Sequence, residues 1–135
     1  MSENGNSSGG EPECPFCTLL KDGRVIAGND GAYAIYDRFP VTEGHMLIIP
    51  VRHFADFFDI TARERRAVFD LLGEMRENLL AGDGRITGFN VGINIGKVAG
   101  QSVPHCHIHL IPRRQGDTEH PRGGVRGIIP GKRAY

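Results

Sequence analysis

Residues 105–109 read His105-Cys106-His107-Ile108-His109, so three of the six histidines fall on alternate positions of one short run. On an extended strand successive side chains point to opposite faces. The three imidazoles then share one face, while Cys106, Ile108 and Leu110 share the other and can enter a core. Packing alone does not call for three titratable rings in a row. Imidazole is a good nucleophile near neutral pH and a proton donor when charged. Neighbouring rings can hold an attacking imidazole in one tautomer and protonate a leaving group. The rival chemistry is a metal site, because His-x-His pairs on strands also bind zinc. Just upstream, Gly100-Gln101-Ser102-Val103 places a glycine, an amide and a hydroxyl ahead of the row. Such a donor-rich turn suits phosphate oxygens. Turn and row together predict attack on phosphorus by a histidine.

A second group of reactive residues is Cys14-Pro15-Phe16-Cys17. A structural zinc site needs four ligands, and this knuckle supplies two. The chain has no second Cys-x-x-Cys, so further ligands would have to be histidines from elsewhere. A redox pair is the alternative, although the βαβ context of a thioredoxin-like motif is missing. A plain reduced thiol pair under a sheet is the third reading.

These residues need elements to hold them. Arg24 to Ala27 and Ala32 to Asp37 are short apolar segments separated by Gly28-Asn29-Asp30-Gly31, which predicts a hairpin. His45 to Ile49 is a further strand, closed by Pro50. Thr61-x-x-Glu64 is a capping box. From there Val68, Leu71, Leu72, Met75 and Leu79 recur at helical spacing, and Gly82 and Gly84 end the chain's one long helix. Phe89, Val91, Ile93 and Ile95 alternate with polar or small residues, predicting a strand with one buried face. The histidine strand, His105 to Ile111, ends at Pro112, and the rest is rich in Gly, Pro and Arg and predicted irregular. The order predicts an α+β domain: a mostly antiparallel sheet of about five strands with one long helix on one face.

At 135 residues the chain is one ordinary domain, large enough for a core without disulfides. Its 16 basic and 16 acidic residues cancel, which argues against a non-specific nucleic-acid binder. It carries no apolar run long enough for a membrane span. Three cysteines do not make a secreted disulfide framework. Residues 1–13, rich in Gly, Ser and Asn, read as a disordered leader without a signal-peptide core, and the protein is expected in the cytoplasm. The organisation expected is a catalytic domain over 14–114 and a Gly/Arg-rich tail over 115–135, packed on the domain or a partner subunit.

The row His105-Cys106-His107-Ile108-His109-Leu110-Ile111 resembles the motif of the histidine triad (HIT) family of nucleotide hydrolases and transferases. Gln101-Ser102-Val103, Asn94, Gly96, Gly44 to Pro50, His53 and Asp37 are similar to that family as well. The resemblance implies that His107 attacks the α-phosphorus and forms a nucleotidyl-histidine intermediate, a step that calls for no metal. It implies that His109 sits beside the leaving group and that His105 and His45 orient the array. Asn94, Ser102 and the Gln101 side chain would serve the phosphate, and Asp37 the ribose. Ile35, Tyr36 and Phe16 would neighbour the base. Some family members with a Cys-x-x-Cys here hold zinc, which carried over means Cys14, Cys17, His53 and His105. The implied substrate is a purine nucleotide derivative, either a dinucleoside polyphosphate or a nucleoside phosphoramidate, and the implied assembly a homodimer. The alternatives are a mononucleotide sensor with little turnover, a transferase to phosphate, and a zinc hydrolase with the triad as ligands. The tail, Gly123-Gly124-Val125-Arg126, is expected to fold over the partner or the site entrance, with Arg126 near phosphate.

Overall fold

The computed structural model describes residues 13–134, so the expected leader falls almost wholly outside the described residues. Five strands form one antiparallel sheet: β1 (Ala27–Gly28), β2 (Ala32–Tyr36), β3 (Met46–Pro50), β4 (Ile86–Gly92) and β5 (Ile108–Arg114). Their spatial order is β1-β2-β3-β5-β4, which puts the strand that follows the histidine row between β3 and β4. One long helix, α2 (Ala62–Gly82), covers one face, and a short helix, α1 (Pro15–Asp22), lies on the other. The expected α+β architecture is the one observed. No helix among the described residues is long and apolar enough to cross a membrane.

The two faces have separate cores. Ala67, Val68, Leu71 and Met75 of α2 pack on Ala32, Ala34, Met46, Ile48, Cys106, Ile108 and Leu110. On the opposite face Phe16, Cys17 and Leu19 pack on Tyr33, Ile35, Leu47 and Ile49. Both faces of β2 and β3 are therefore covered, which is why those strands read as near-continuous apolar runs. The capping box forms as expected: Thr61 Oγ1 accepts the Glu64 N–H at 3.1 Å, and Glu64 Oε1 accepts the Thr61 N–H at 3.0 Å. The hairpin turn is set by Asn29, whose Oδ1 accepts the N–H groups of Gly31 and Ala32.

Several boundaries differ from expectation. The first hairpin strand shrinks to Ala27–Gly28. β4 runs over Ile86–Gly92 instead of starting at Phe89, with a bulge between Ile86 and Gly88. As an edge strand it leaves Val91 half exposed. β5 begins at Ile108, after the first two histidines, and continues through Pro112. Proline is tolerated there because β3 pairs with β5 only at Ile108, His109 and Leu110, so Pro112 lies beyond that ladder. α1 was not expected. Its signals are Pro15 at the first helical position and Gly23 beyond the end in the left-handed region, φ 73°. In the tail, Gly124–Ile128 forms a 3-10 turn.

Leu71 is fully buried at the centre of the helix-side core. Leu71→Ala is expected to cost about 2–5 kcal/mol, read as a lower urea midpoint with an unchanged slope.

Candidate functional site

His105, Cys106 and His107 are buried, and the expected alternation holds: Cys106 joins the helix-side core while the rings occupy the other side. Phe16 at the start of α1 stands edge-on to both His105 and His107, with ring centroids 5.9 and 4.9 Å away. His107 and His109 are neighbours at 5.3 Å.

The hydrogen-bond partners assign each ring a tautomer. A carbonyl accepts only, so the nitrogen facing it carries the proton. His107 Nδ1 donates to the His105 carbonyl at 2.8 Å, which leaves Nε2 of the neutral ring with a free lone pair. His105 Nε2 donates to the Pro50 carbonyl at 2.8 Å, which leaves its Nδ1 as the lone-pair atom. His45 is fixed from the other direction. Its Nδ1 accepts the Val41 N–H at 3.1 Å, so Nε2 carries the proton and donates to His109 Nδ1 at 2.9 Å. His109 then presents Nε2–H as a donor. The Asp37 carboxylate lies 3.4 Å from His45 Nε2. Burial holds His45 below the ordinary imidazole range, and Asp37 opposes that shift. Burial, aided by the neighbouring imidazoles, pushes His109 down to about 4.

Asp37 leads out of β2 into a turn, its Oδ1 accepting the Phe39 N–H at 2.9 Å. Together with Phe16, Ile35, Asn94, Ser102, His45, His107 and His109 it lines a cavity of about 650 Å³. Tyr36 is exposed and outside that cavity. Gln101 does not reach it either. Its Oε1 accepts the Gly96 N–H at 2.9 Å, and its Nε2 donates to the carbonyls of Ala55 and Val103. The amide expected near phosphate closes the loop instead. Leu47, Val41 and Val103 also line the cavity and were not singled out from sequence. Leu47 enters because it pairs with Ile35 on one side and His109 on the other, a register that no local pattern displays.

Behind His105, four ligand atoms converge. Cys14 Sγ and Cys17 Sγ lie 3.4 and 3.5 Å from His105 Nδ1, and His53 Nδ1 lies 3.4 Å from Cys17 Sγ and 3.1 Å from His105 Nδ1. All four lie within 4.8 Å of one another. For Zn–S bonds of about 2.3 Å and Zn–N bonds of about 2.0 Å, tetrahedral ligand atoms stand roughly 3.3–3.8 Å apart. The set has the spacing and the donor chemistry of a closed structural zinc site, and the Pro50 carbonyl turns the His105 lone pair toward it.

The depressed His109 value has a consequence for stability. Between about 4 and its ordinary 6.5 the unfolded chain binds a proton at this ring and the folded chain does not. Stability present above the higher value is therefore lost as pH falls toward the lower one. Thermal unfolding measured across that window should show a steeper loss in the parent than in His109→Asn.

Comparison with known proteins places this geometry. The HIT domain model matches residues 20–116. A HIT-like protein of Mycoplasma genitalium is 35% identical over 116 residues, covering 84% of this chain and 78% of that one. The AP-4-A phosphorylase of Mycobacterium tuberculosis is 30% identical, covering 83% of this chain but 60% of its own length. Among solved structures, a HIT family protein from Bacillus anthracis superposes with a TM-score of 0.72 at 31% identity, covering 78% of this chain and 77% of that one. A Zn-bound histidine triad family protein from Mycobacterium smegmatis superposes at 0.71 with 30% identity, covering 78% of each chain. With the family's domain matched across most of its length, and the histidine row inside the match, the chain belongs to the HIT family.

Proposed function

We propose that this protein is a nucleotide-binding hydrolase that cleaves at the α-phosphorus of a nucleotidyl substrate through an intermediate on His107. One observation carries the reading. The His105 carbonyl holds the proton on His107 Nδ1, so the opposite nitrogen keeps its lone pair in a ring lining a cavity with Asp37, Ser102 and Asn94. Phe16, Ile35 and Leu47 suit a purine base, Asp37 the ribose hydroxyls, and Asn94 and Ser102 the phosphate oxygens. His107 Nε2 forms a bond to phosphorus while the bond to the leaving atom breaks and its electron pair departs with that atom. The leaving atom takes up one proton from water. His109 Nε2–H hydrogen-bonds it as charge develops there. In the second step water oxygen attacks phosphorus, the pair of the histidine–phosphorus bond returns to Nε2, and one proton is released. Positioning and aimed donors are what phosphorus chemistry requires of a protein.

The relative named AP-4-A phosphorylase supports a second reading, in which phosphate replaces water as acceptor. His107→Ala should lose turnover by at least about a thousandfold while still binding adenosine monophosphate. Mass spectrometry of the parent quenched during turnover should find a nucleotidyl adduct on His107. Undiminished turnover in the variant would sink the proposal. Product analysis in phosphate buffer decides between the two acceptors.

Cys14, Cys17, His53 and His105 would hold a structural zinc ion that ties α1 to the histidine row, a role supported by their spacing and by the Zn-bound relative. The chain purified without chelator should carry about one zinc, and Cys14→Ser should lose it and melt at lower temperature. A metal-free parent as stable as the zinc-loaded one would refute this role. The cysteines among the described residues form no disulfide, which fits a cytoplasmic setting. The edge strand β4, with Val91 exposed, fits pairing of two copies.

A further inference from the structure

The nucleoside-sized cavity beside His107 is polar at two places. His107, His109, Asn94 and Ser102 make the one where phosphorus would sit. Asp22 and Arg24 make the other. Helix α1 runs between them. Pro15, Thr18, Leu19 and Asp22 all line the cavity, and the spacing i, i+3, i+4, i+7 is one face of a helix. The helix therefore lies along the cavity with one stripe turned into it. It starts at the nucleophile, because the Phe16 ring stands 4.9 Å from that of His107. Asp22, the last residue of α1, lies about 9 Å further along the axis. Arg24 follows in the connection to β1.

Between the two polar places the lining is apolar, with Leu19 on the helix side and Ile35 and Leu47 on the sheet side. A nucleotide with its phosphorus at His107 and its ribose at Asp37 lays its base in this slot. The outer edge of the base then meets Asp22 and Arg24.

Both of those side chains are exposed, and neither is engaged by another described residue. An aspartate is not placed there by packing or helix stability, since the dipoles of a helix disfavour an anion at its C-terminal end. One turn earlier on the same stripe, Thr18 donates its hydroxyl proton to the Cys14 carbonyl at 3.0 Å, so toward the cavity its oxygen acts as an acceptor. The helix side of the slot thus asks for donors, and Arg24 asks for an acceptor. The cavity's other arginine, Arg38, directly follows Asp37 and belongs to the ribose side. Arg126, expected near phosphate, is not among the lining residues.

We propose that Asp22 and Arg24 read the edge of the base and make the site selective for guanine nucleotides. This rests on the nucleotide-binding reading above and names its substrate class. Guanine presents N1–H and N2–H side by side, which match the two oxygens of one carboxylate, and an O6 acceptor next to them for a guanidinium. Adenine presents its N6 donor beside the N1 lone pair. A carboxylate that receives the N6 donor would have its second oxygen against that lone pair, and Arg24 would find no O6. A site built to pair specific donors discriminates against the base that lacks them.

The test is equilibrium binding by calorimetry on the full chain purified without chelator, with guanosine, inosine and adenosine monophosphates as probes. Guanosine monophosphate is expected to bind on the order of tenfold tighter than adenosine monophosphate. Inosine monophosphate, which keeps N1–H and O6 but lacks the N2 amino group, should fall between them. Asp22→Asn should bring the guanosine-to-adenosine ratio to unity or below, because an amide pairs with either base. The same variant should melt no lower than the parent, so a changed ratio would not reflect a damaged fold. Arg24→Gln should weaken guanosine and inosine monophosphates alike and leave the adenosine compound nearly unmoved. Equal binding of the guanosine and adenosine compounds by the parent, inosine bound as tightly as guanosine, or an unmoved ratio in Asp22→Asn overturns the base reading. Those results leave nucleotide binding itself standing, whereas no binding of any of the three rejects the nucleotide reading and the guanine selectivity with it.

Discussion

The ladder between β3 and β5 is short, pairing Met46 with Leu110, Leu47 with His109 and Ile48 with Ile108. Most of the site follows from it. A slip of one residue would turn the imidazoles toward α2 and bring Cys106, Ile108 and Leu110 into the cavity. The helix-side core opposes that slip, because Ile108 and Leu110 are almost fully buried against it. The same register carries His45, at the entrance to β3, within hydrogen-bonding distance of His109. The neighbouring β2–β3 ladder places Leu47 beside Ile35, forming the apolar wall of the nucleoside-sized cavity. The position of the chemistry is thus set by apolar packing on the far side of the sheet.

The backbone then makes three similar rings different. The Pro50 carbonyl, the His105 carbonyl and the Val41 N–H each take one nitrogen of His105, His107 and His45. The remaining nitrogens become a lone pair facing two thiols, a lone pair facing the cavity, and a donor passed on to His109. None of these assignments needs a charged side chain, which suits a site where burial already disfavours the imidazolium. Backbone groups are also the partners least disturbed by side-chain substitution.

Much of this was legible in the sequence, for reasons that differ by element. The long helix announced itself through the Thr61–Glu64 box and the spacing of Val68, Leu71 and Met75, all local signals. The alternation through Cys106, Ile108 and Leu110 was equally local, although the strand itself starts later than the first histidine. α1 is eight residues long, and its proline and glycine punctuation was eclipsed by the cysteine pair it carries. Gln101 could not be assigned correctly, because an amide bonding backbone carbonyls looks the same in sequence as one facing a ligand. Leu47 was missed because cross-strand register, not neighbouring residues, brings it to the cavity, and Val41 because it sits in the irregular connection before β3, where its N–H bonds His45. The convergence of Cys14, Cys17, His53 and His105 depends on packing between segments far apart in the chain, so only the family resemblance pointed to it.

One carboxylate links the long helix to the histidine row. Glu64, which completes the cap of α2, also receives Arg52 Nε at 2.7 Å and Nη2 at 2.9 Å. Arg52 lies over the ring of Phe54, whose carbonyl accepts the Cys106 N–H. The first turn of α2, the 51–60 connection and the entry to β5 are therefore joined in one chain of bonds. Such linked segments open together as a cooperative unit. Fraying of the first helical turn, ordinarily a local event, would here be transmitted to the amide between His105 and His107, so the pocket's residual mobility is governed partly from the opposite side of the sheet.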